Sequence, residues 1–229
     1  MKSALKKIIP VSILSFYHLF LAKLAAFWYG YPSNKMMIIG ITGTKGKTST
    51  ANLIWSVLNL NDYKTGLIGT ANIRVGDIEY LNKYHMTMPG RFVTQNLLKQ
   101  MVKAGCQYCV LEATSEGMKQ WRHASINFDT AIFTNLTPEH LPSHGGSFEE
   151  YKSMKGQLFA ALSEGKIKTI AGKKIKKISI INGDSEHKDF FLNFWADKKI
   201  TYGLKPGNNF FAQDIQSTPR GVSFSESGY

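Results

Sequence analysis

The sequence has few of the residues that build disulfide frameworks and metal clusters. Its 229 residues include 2 cysteines and 6 histidines. The two cysteines, Cys106 and Cys109, form a single C-x-x-C, and a zinc or redox site of this kind needs a second ligand pair or a thioredoxin-like context. A disulfide-rich secreted fold is therefore excluded. We expect both cysteines to be small buried residues leading into a strand.

Negative charge is also scarce. Lys and Arg number 28 against 16 Asp and Glu, so the formal net charge is +12, and the excess lies at the N-terminus and in residues 166–177. A basic surface indicates an anionic partner such as a nucleotide, a phosphorylated sugar or a lipid head group. Arginine and aromatic residues are not interleaved as nucleic-acid binding requires, so we expect no nucleic acid partner.

Long uncharged runs are missing as well. The most apolar segment, 8–31, has 15 uncharged residues between Lys7 and Lys23, whereas a membrane-spanning helix needs about twenty. Helical spacing separates a narrow, weakly polar stripe from a wide apolar face formed by Ile13, Leu14, Phe16, Phe20, Leu21, Leu24, Phe27 and Trp28. The stripe consists of Ser12, Ser15, His18, Ala22 and Ala26. We expect the apolar face to pack on protein or to make a peripheral membrane contact.

The main motif follows this segment, where an apolar strand enters the loop Gly-Thr-Lys-Gly-Lys-Thr and then a helix. Backbone N–H groups in such a loop converge on a phosphate. The motif predicts that Lys47 reaches the terminal phosphates of a nucleoside triphosphate and that the Thr48 hydroxyl binds Mg²⁺. Ile41 stands where the strict P-loop pattern has glycine, with Gly40 and Gly43 on either side. Because the loop needs a cytosolic nucleotide pool, we expect a cytoplasmic protein, at the inner face of the membrane if the helix binds lipid.

Strand and helix patterns alternate after the loop, which predicts an α/β fold with a mainly parallel sheet. The pattern predicts a hairpin at 72–81 and a final strand at 209–224. In the helix that follows the glycine-rich loop, we expect the apolar residues Leu53, Ile54, Val57 and Leu58 to lie on one side. Helices are predicted at 48–59, 91–104, 147–163 and 186–194, and strands at 64–70, 108–112, 130–134, 177–181 and 199–202.

Polar residues at the ends of parallel strands are the best candidates for a site. Glu112 ends an apolar strand and is placed to face the magnesium of the P-loop. His140, in the loop after the next strand, is a candidate for metal or phosphate binding, with Glu139 beside it. Thr87 lies in a segment that either contacts an anionic substrate or caps the next helix. Lys155, on spacing alone, is a surface lysine.

Several of these segments, taken in order, resemble the Mur ligase family. They are GITGTKGKTST, LEATSEGMKQWR, FDTAIFTNLTPEHLPSH continuing to SMKGQLF, and INGD. The similarity covers residues 35–229 and is most specific over 128–159. It implies the central ATP-binding domain of an amide ligase, in which a substrate carboxylate becomes an acyl phosphate that an amino group attacks. The substrates implied are a UDP-muramoyl-peptide and an amino acid.

The resemblance also implies roles for individual residues. The ATP site would comprise Gly43, Thr44, Lys45, Gly46, Lys47, Thr48, Ser49 and Asn135. Two Mg²⁺ ions would be held by Thr48, Glu112, His140 and Lys155, with Lys155 carbamylated into a carboxylate-like ligand. Lys47, His140 and Lys155 are the predicted catalytic residues. The muramoyl-peptide substrate would contact Thr87, Thr114 and Arg122.

We expect residues 1–34 to form an N-terminal apolar helix and 35–229 an ATP-binding domain that is incomplete at its C-terminus, so that this chain alone does not complete a ligation. Three functions follow from these residues. The first is a peptidoglycan-precursor ligase. The second is a related ligase acting on another acid, as in folylpolyglutamate or cyanophycin synthesis. The third is a non-catalytic nucleotide-binding module at the membrane.

Overall fold

A computed structural model describes residues 10–139, 141–219 and 221–228. One large sheet is covered by helices on both faces, an arrangement typical of chains in which strands and helices alternate. The helices are α1 Val11–Tyr29, α2 Lys47–Leu60, α3 Arg91–Lys103, α4 Ser115–Lys119, α5 Phe148–Glu164 and α6 Lys188–Leu192. The strands are β1 Met37–Thr42, β2 Thr65–Ile68, β3 Asn72–Val75, β4 Ile78–Leu81, β5 Tyr108–Glu112, β6 Thr130–Phe133, β7 Thr169–Ile170, β8 Lys173–Lys174, β9 Ile178–Asn182, β10 Lys198–Gly203, β11 Phe210–Thr218 and β12 Gly221–Gly228.

The large sheet has the strand order β12-β11-β10-β9-β6-β1-β5-β2-β3-β4. All pairs from β11 to β2 are parallel, and the outer pairs β12–β11, β2–β3 and β3–β4 are antiparallel. In this register Ile41 lies opposite Glu112, and Thr42 lies opposite Phe133. The carboxyl ends of β1, β5 and β6 therefore meet at one edge of the sheet, beside the start of α2.

The two faces of β1 belong to different cores. Ile39 and Ile41 pack with Ala51 of α2, whereas Ile38 belongs to the larger core beneath α3 and α5. A Cβ atom added at Gly40 would lie 2.6 Å from Leu158 Cδ1, so glycine allows α5 to approach the strand closely. Ile41 is fully buried within β1, and the strand runs to Thr42, so the loop begins at Gly43.

Helix α1 packs on the domain with its small residues, so the expectation that its wide apolar face packs on this domain is wrong, and a peripheral membrane contact of that face stays a prediction. Ala22 and Ala26 of the stripe and the neighbouring Ala25 are at most 1% exposed, so the C-terminal part of the stripe faces the protein. Most of the wide apolar face is exposed, including Phe16, Phe20, Phe27 and Trp28. Small residues allow the helix to lie close to α3 and leave the aromatic side chains pointing outward. Among the described residues, no helix has the length and apolarity needed to cross a membrane.

A buried ionic cluster lies at the amino ends of the central strands, opposite the loop at their carboxyl ends. The Asp129 carboxylate accepts hydrogen bonds from the Lys168 and Lys177 ammonium groups and, at 2.8 Å, from the backbone N–H of Ile38. All three ionised side chains are at most 4% exposed. Asp129 thereby ties the segments before β7 and β9 to the start of β1.

The predicted fold class is confirmed, as are the 72–81 hairpin and most element positions. The region 209–224 holds an antiparallel pair, β11 and β12, instead of one strand. The lysine-rich stretch contains the small hairpin β7–β8. Helix α4 is short, and no periodic pattern of apolar residues predicts it. Both cysteines are buried free thiols, as expected. The division at residue 34 stays a prediction.

Candidate functional site

The glycine-rich loop 43–46 joins β1 to α2 and is held in place by Asn135, which follows β6. The Asn135 side chain accepts a hydrogen bond from Lys45 N (2.9 Å) and donates one to Lys45 O (3.1 Å). Its backbone carbonyl accepts from Thr44 N at 2.9 Å. Gly43 and Gly46 have φ values of +154° and +81°, which side chains with a Cβ atom rarely adopt. These bonds position the loop amides at the N-terminus of α2.

The loop meets β5 through Glu112, as the sequence predicted from its place at a strand end. Glu112 is fully buried. Its Oε2 accepts a hydrogen bond from Thr48 Oγ1 at 3.0 Å, and Thr70 donates to the same carboxylate through its backbone N–H and its hydroxyl, both at 2.9 Å. The Thr48 hydroxyl and the Glu112 carboxylate are therefore adjacent oxygen donors at the end of the loop.

Two lysines converge on the carbonyl oxygen of Gly43. Lys47 Nζ and Lys155 Nζ each donate to this oxygen at 2.8 Å, and Lys47 also donates to Thr44 O at 3.0 Å. Lys155, on α5, is 2% exposed, so it is not the surface lysine that its spacing suggested. Burial, and then the positive charge of Lys47, lower the pKa of Lys155 to about 7. Burial also lowers the pKa of Lys47, against the raising effect of Glu112.

The predicted substrate residues line one cleft of about 500 Å³ beside the loop, together with Lys47, Thr48 and Lys155. The Thr87 and Thr70 hydroxyl oxygens lie 3.0 Å apart, which links Thr87 to Glu112 through Thr70. Thr114 caps α4 by accepting from Gly117 N at 3.1 Å. Arg122 donates to Met88 O and to Gln120 Oε1, and burial lowers its pKa.

The remaining predicted residues differ in their placement: Lys45 does not line the cleft, Ser49 does, and His140 lies outside the described part of the chain. Lys45 is exposed and forms a 2.9 Å ion pair with Glu139, which raises its pKa. Ser49 lies on the first turn of α2 and lines the cleft. His140 lies outside the described residues, so its role stays a prediction.

The structure adds cleft residues that the sequence analysis did not single out. His144 is fully buried, with Nε2 3.0 Å from Ser115 Oγ. The Tyr151 hydroxyl lies 3.2 Å from Thr44 Oγ1. His144 belongs to the same motif as His140, four residues further on, and Ser115 follows Thr114. The sequence motifs indicated this region, but only the fold shows that His144 contacts Ser115 and that Tyr151 contacts Thr44.

The donor atoms suit a hard cation such as Mg²⁺, which prefers oxygen ligands and keeps several waters. Thr48 and Glu112 supply such oxygens 3.0 Å apart. Within the described ranges, no group of three or more His, Cys, Asp or Glu side chains could hold a metal ion. Side chains of these four types therefore do not complete a metal site in this part of the chain.

Comparison with known proteins gives concordant matches. A family model described as the Mur ligase middle domain matches residues 41–228. A UDP-N-acetylmuramyl-tripeptide synthetase from Roseiflexus is 38% identical over 208 residues, covering 89% of this chain and 40% of the relative. A UDP-N-acetylmuramoyl-L-alanyl-D-glutamate–2,6-diaminopimelate ligase from Geobacillus kaustophilus is 35% identical over 216 residues, covering 94% and 42%.

A solved structure of a ligase with the same name as the Geobacillus relative superimposes with a TM-score of 0.71 and 26% sequence identity, covering 85% of this chain and 37% of that one. This chain therefore spans about two fifths of the length of these relatives. The matched region contains the loop, Glu112 and Lys155. On this match, the chain belongs to the Mur ligase family and corresponds to its middle domain.

Proposed function

We propose that this chain is the ATP-binding domain of a ligase that adds an amino acid to a UDP-N-acetylmuramoyl dipeptide. The observation that carries the proposal is the convergence of Lys47, Thr48, Glu112 and Lys155 around the loop, beside a cleft lined by Arg122. Relatives whose names specify such ligases share 35–38% of the aligned residues. The reaction is an ATP-dependent activation of a carboxylate followed by attack of an amine.

The charges of the site suit this chemistry. A triphosphate and a carboxylate repel each other, and cations reduce that repulsion as they approach. The loop amides and Lys47 would hold the phosphates, with Thr48 and Glu112 on one Mg²⁺ and His140 on a second. Bound Mg²⁺ would neutralise charge on the transferring phosphoryl group. Thr87, Thr114 and Arg122 would hold the acid, because hydroxyl and guanidinium groups both donate to carboxylates.

Lys155 would act as a carbamate. The ammonium group first loses one proton to solvent; the neutral amine then attacks CO₂, a C–N bond forms and a second proton leaves, which converts a cation into an anionic oxygen ligand. Burial of Lys155 and its proximity to Lys47 favour the neutral amine near pH 7. The carbamate would supply a metal-binding oxygen beside the loop.

The ligase proposal is tested by phosphate release from ATP, measured on the full-length protein with UDP-N-acetylmuramoyl dipeptide and a panel of amino acids. We expect turnover with one acceptor or a few. Turnover only with other acids, such as folates carrying glutamate, would favour the related-ligase alternative. ATP binding without turnover for any acid or acceptor would favour the non-catalytic module and reject the ligase.

Lys155→Ala tests the carbamate, with Lys152→Ala as control because Lys152 lies three residues away on α5 and pairs with Glu149. We expect Lys155→Ala to abolish turnover and to remove the carbamate carbon signal that ¹³C-bicarbonate produces in NMR spectra. Lys152→Ala should retain both. An active Lys155→Ala enzyme, or a wild-type protein without the signal, contradicts this role.

We also propose that α1 brings the protein to the inner face of the membrane. The exposed aromatic face of α1 provides the apolar side of an interfacial helix, and the basic chain provides charge for anionic lipids. Flotation with anionic and neutral vesicles tests this, comparing wild type with Phe16→Ser/Phe20→Ser/Trp28→Ser. We expect the wild type alone to float, and only with anionic vesicles. Equal flotation of both proteins would reject the contact.

A further inference from the structure

Two further cavities are lined by residues of α1. The first, of about 710 Å³, lies between α1, α4 and α5 and shares Glu116 and Ser143 with the cleft. The second, of about 410 Å³, shares Trp121 and His123 with the first. The first cavity therefore adjoins the cleft and the second adjoins the first, and we call the two cavities beside α1 the α1 track.

We propose that the α1 track binds the glycosyl diphosphate part of the acid substrate, with the sugar against Trp121 and His123 and the diphosphate near Lys23 and Lys166. This rests on the proposed function, because it begins from an acid whose carboxyl group lies in the cleft. It assigns substrate binding to α1, a helix outside the nucleotide site.

Trp121 has the features of a sugar platform. A sugar ring presents C–H groups on its faces and hydroxyl groups at its rim, so it fits a flat apolar ring beside neutral polar groups. The Trp121 ring lies 16° from parallel to the His123 ring, with centroids 5.8 Å apart, and its Nε1 donates to Ser15 Oγ at 2.6 Å. Its φ of +56° is rare for a bulky residue, and strain of this kind persists where the surrounding structure enforces it.

His123 supplies an unused polar atom in the same place. The residue is 6% exposed, and among the described residues its Nδ1 has no hydrogen-bond partner. Buried polar atoms usually have one, so this nitrogen calls for a ligand or a water. Burial lowers the pKa of His123 to about 4, so the ring is neutral at pH 7 and has one donor and one acceptor nitrogen.

The charge of the lining changes along the track: carboxylates outnumber lysines in the first cavity, and lysines outnumber carboxylates in the second. The first cavity has two carboxylates, Glu116 and Glu150, and one lysine, Lys119, which pairs with Glu150 at 2.7 Å. This balance disfavours a diphosphate and suits a neutral sugar. The second cavity has two lysines, Lys23 and Lys166, against the single carboxylate of Glu164, which suits an anion.

Calorimetric titration of the full chain tests the sugar position with two probes, L-alanyl-D-glutamate and its N-acetylmuramoyl derivative. We expect the sugar to tighten binding. Trp121→Ala should weaken binding of the muramoyl derivative about tenfold, equivalent to about 1.4 kcal/mol, and leave the dipeptide unchanged. Gln157→Ala, on the α5 wall of the same cavity, should also weaken only the muramoyl derivative, and it serves as the test if Trp121→Ala does not fold. Trp195→Ala, outside the track, should change neither.

The diphosphate position is tested with the UDP-linked and lipid-diphosphate-linked forms of the muramoyl dipeptide, the latter in neutral-lipid nanodiscs. Both forms contain a diphosphate. The form that binds more tightly than the unlinked muramoyl dipeptide shows whether the track takes the nucleotide-linked or the lipid-linked diphosphate. We expect Lys23→Gln/Lys166→Gln to remove that gain and Lys188→Gln to keep it. If neither form gains affinity, the diphosphate assignment is wrong.

The sugar assignment is overturned if the dipeptide binds as tightly as its muramoyl derivative, if the derivative does not bind, or if Trp121→Ala and Gln157→Ala both leave its affinity unchanged. Binding is measured without ATP or an amino acid, so it does not depend on turnover. Sugar-dependent binding without ligation would reject the proposed function and retain the track. Ligation without sugar-dependent binding would reject the track and retain the proposed function.

Discussion

Gly43 is the residue on which the geometry of the site depends. Its carbonyl accepts hydrogen bonds from Lys47 and Lys155, which lie far apart in sequence. A Cβ atom at this position would lie 1.9 Å from Thr134 Oγ1 and 3.0 Å from Asn135 O. The loop can approach β6 only because residue 43 has no side chain.

Gly43→Ala should therefore lower the free energy of unfolding by about 3 kcal/mol or more, since both the clash and the backbone strain oppose the native loop. Gly172→Ala is the matched control, because Gly172 has φ +77° but no atom within 4 Å of an added Cβ. Its cost should be about 1–2 kcal/mol, from strain alone. Urea unfolding of both variants measures the difference, and equal losses would contradict the steric argument.

Lys168 predicts a pH dependence of stability. Burial lowers its pKa to about 8 from an ordinary value of 10.5, although Asp129 opposes the shift. Between these two values the unfolded chain binds more protons than the native one, so this residue makes stability rise with pH. The free energy of unfolding of wild type relative to Lys168→Met should increase from pH 8 to pH 10.

The comparison with Lys168→Met removes contributions that other lysines make to both proteins. Lys173→Met, at an exposed position of β8, should show no such change relative to wild type. A difference between wild type and Lys168→Met that stays constant or falls over this range would contradict the lowered pKa. Urea unfolding at a series of pH values gives the measurement.

At the scale of elements, α1 shows why hydrophobicity alone does not identify the buried face of a helix. Ala22, Ala25 and Ala26 allow close approach to the domain, whereas larger side chains at these positions would hold the helix away. Helix α2 gives the same lesson: Ile54 and Leu58 pack on the sheet as expected, with Ala51 and Trp55, but Leu53 and Val57 are 66% and 58% exposed.

Ala26→Leu should destabilise the protein by about 1–3 kcal/mol, because the added atoms have no space between α1 and the domain. Phe20→Ser changes a residue that is 54% exposed and should change stability by no more than about 0.5 kcal/mol. Thermal unfolding of the two variants in the absence of lipid compares them. A larger loss for Phe20→Ser would show that the aromatic face is packed.

At the scale of the molecule, the parallel sheet brings three separate motifs to one edge. The loop after β1, Glu112 at the end of β5 and Asn135 after β6 become neighbours through strand register. Helix α5 then returns across the sheet and places Lys155 at the loop. The site therefore depends on the whole sheet, so the nucleotide we propose for it would bind only the native state.

Mg-ATP should raise the melting temperature, because a ligand that binds only the native state stabilises it by about 2.7 kcal/mol at 100 times its dissociation constant. For a domain of this size the shift should be roughly 5–10 °C. Lys47→Ala should abolish it, and Glu112→Gln should remove the part that depends on Mg²⁺. Lys188→Ala, remote from the loop, should keep the full shift, and an undiminished shift in Lys47→Ala would contradict the assigned ATP site.

By itself the sequence determined the α/β class, the glycine-rich loop between strand and helix and the strand-end position of Glu112, because local patterns of apolar residues and glycine specify these features. It did not determine which faces of α1 and α2 are buried, since that depends on how closely each helix approaches the domain. Only the tertiary structure placed Lys155 at a loop carbonyl 112 residues away and joined Thr70 to Glu112. Contacts of this kind arise from packing between elements, which no local pattern records.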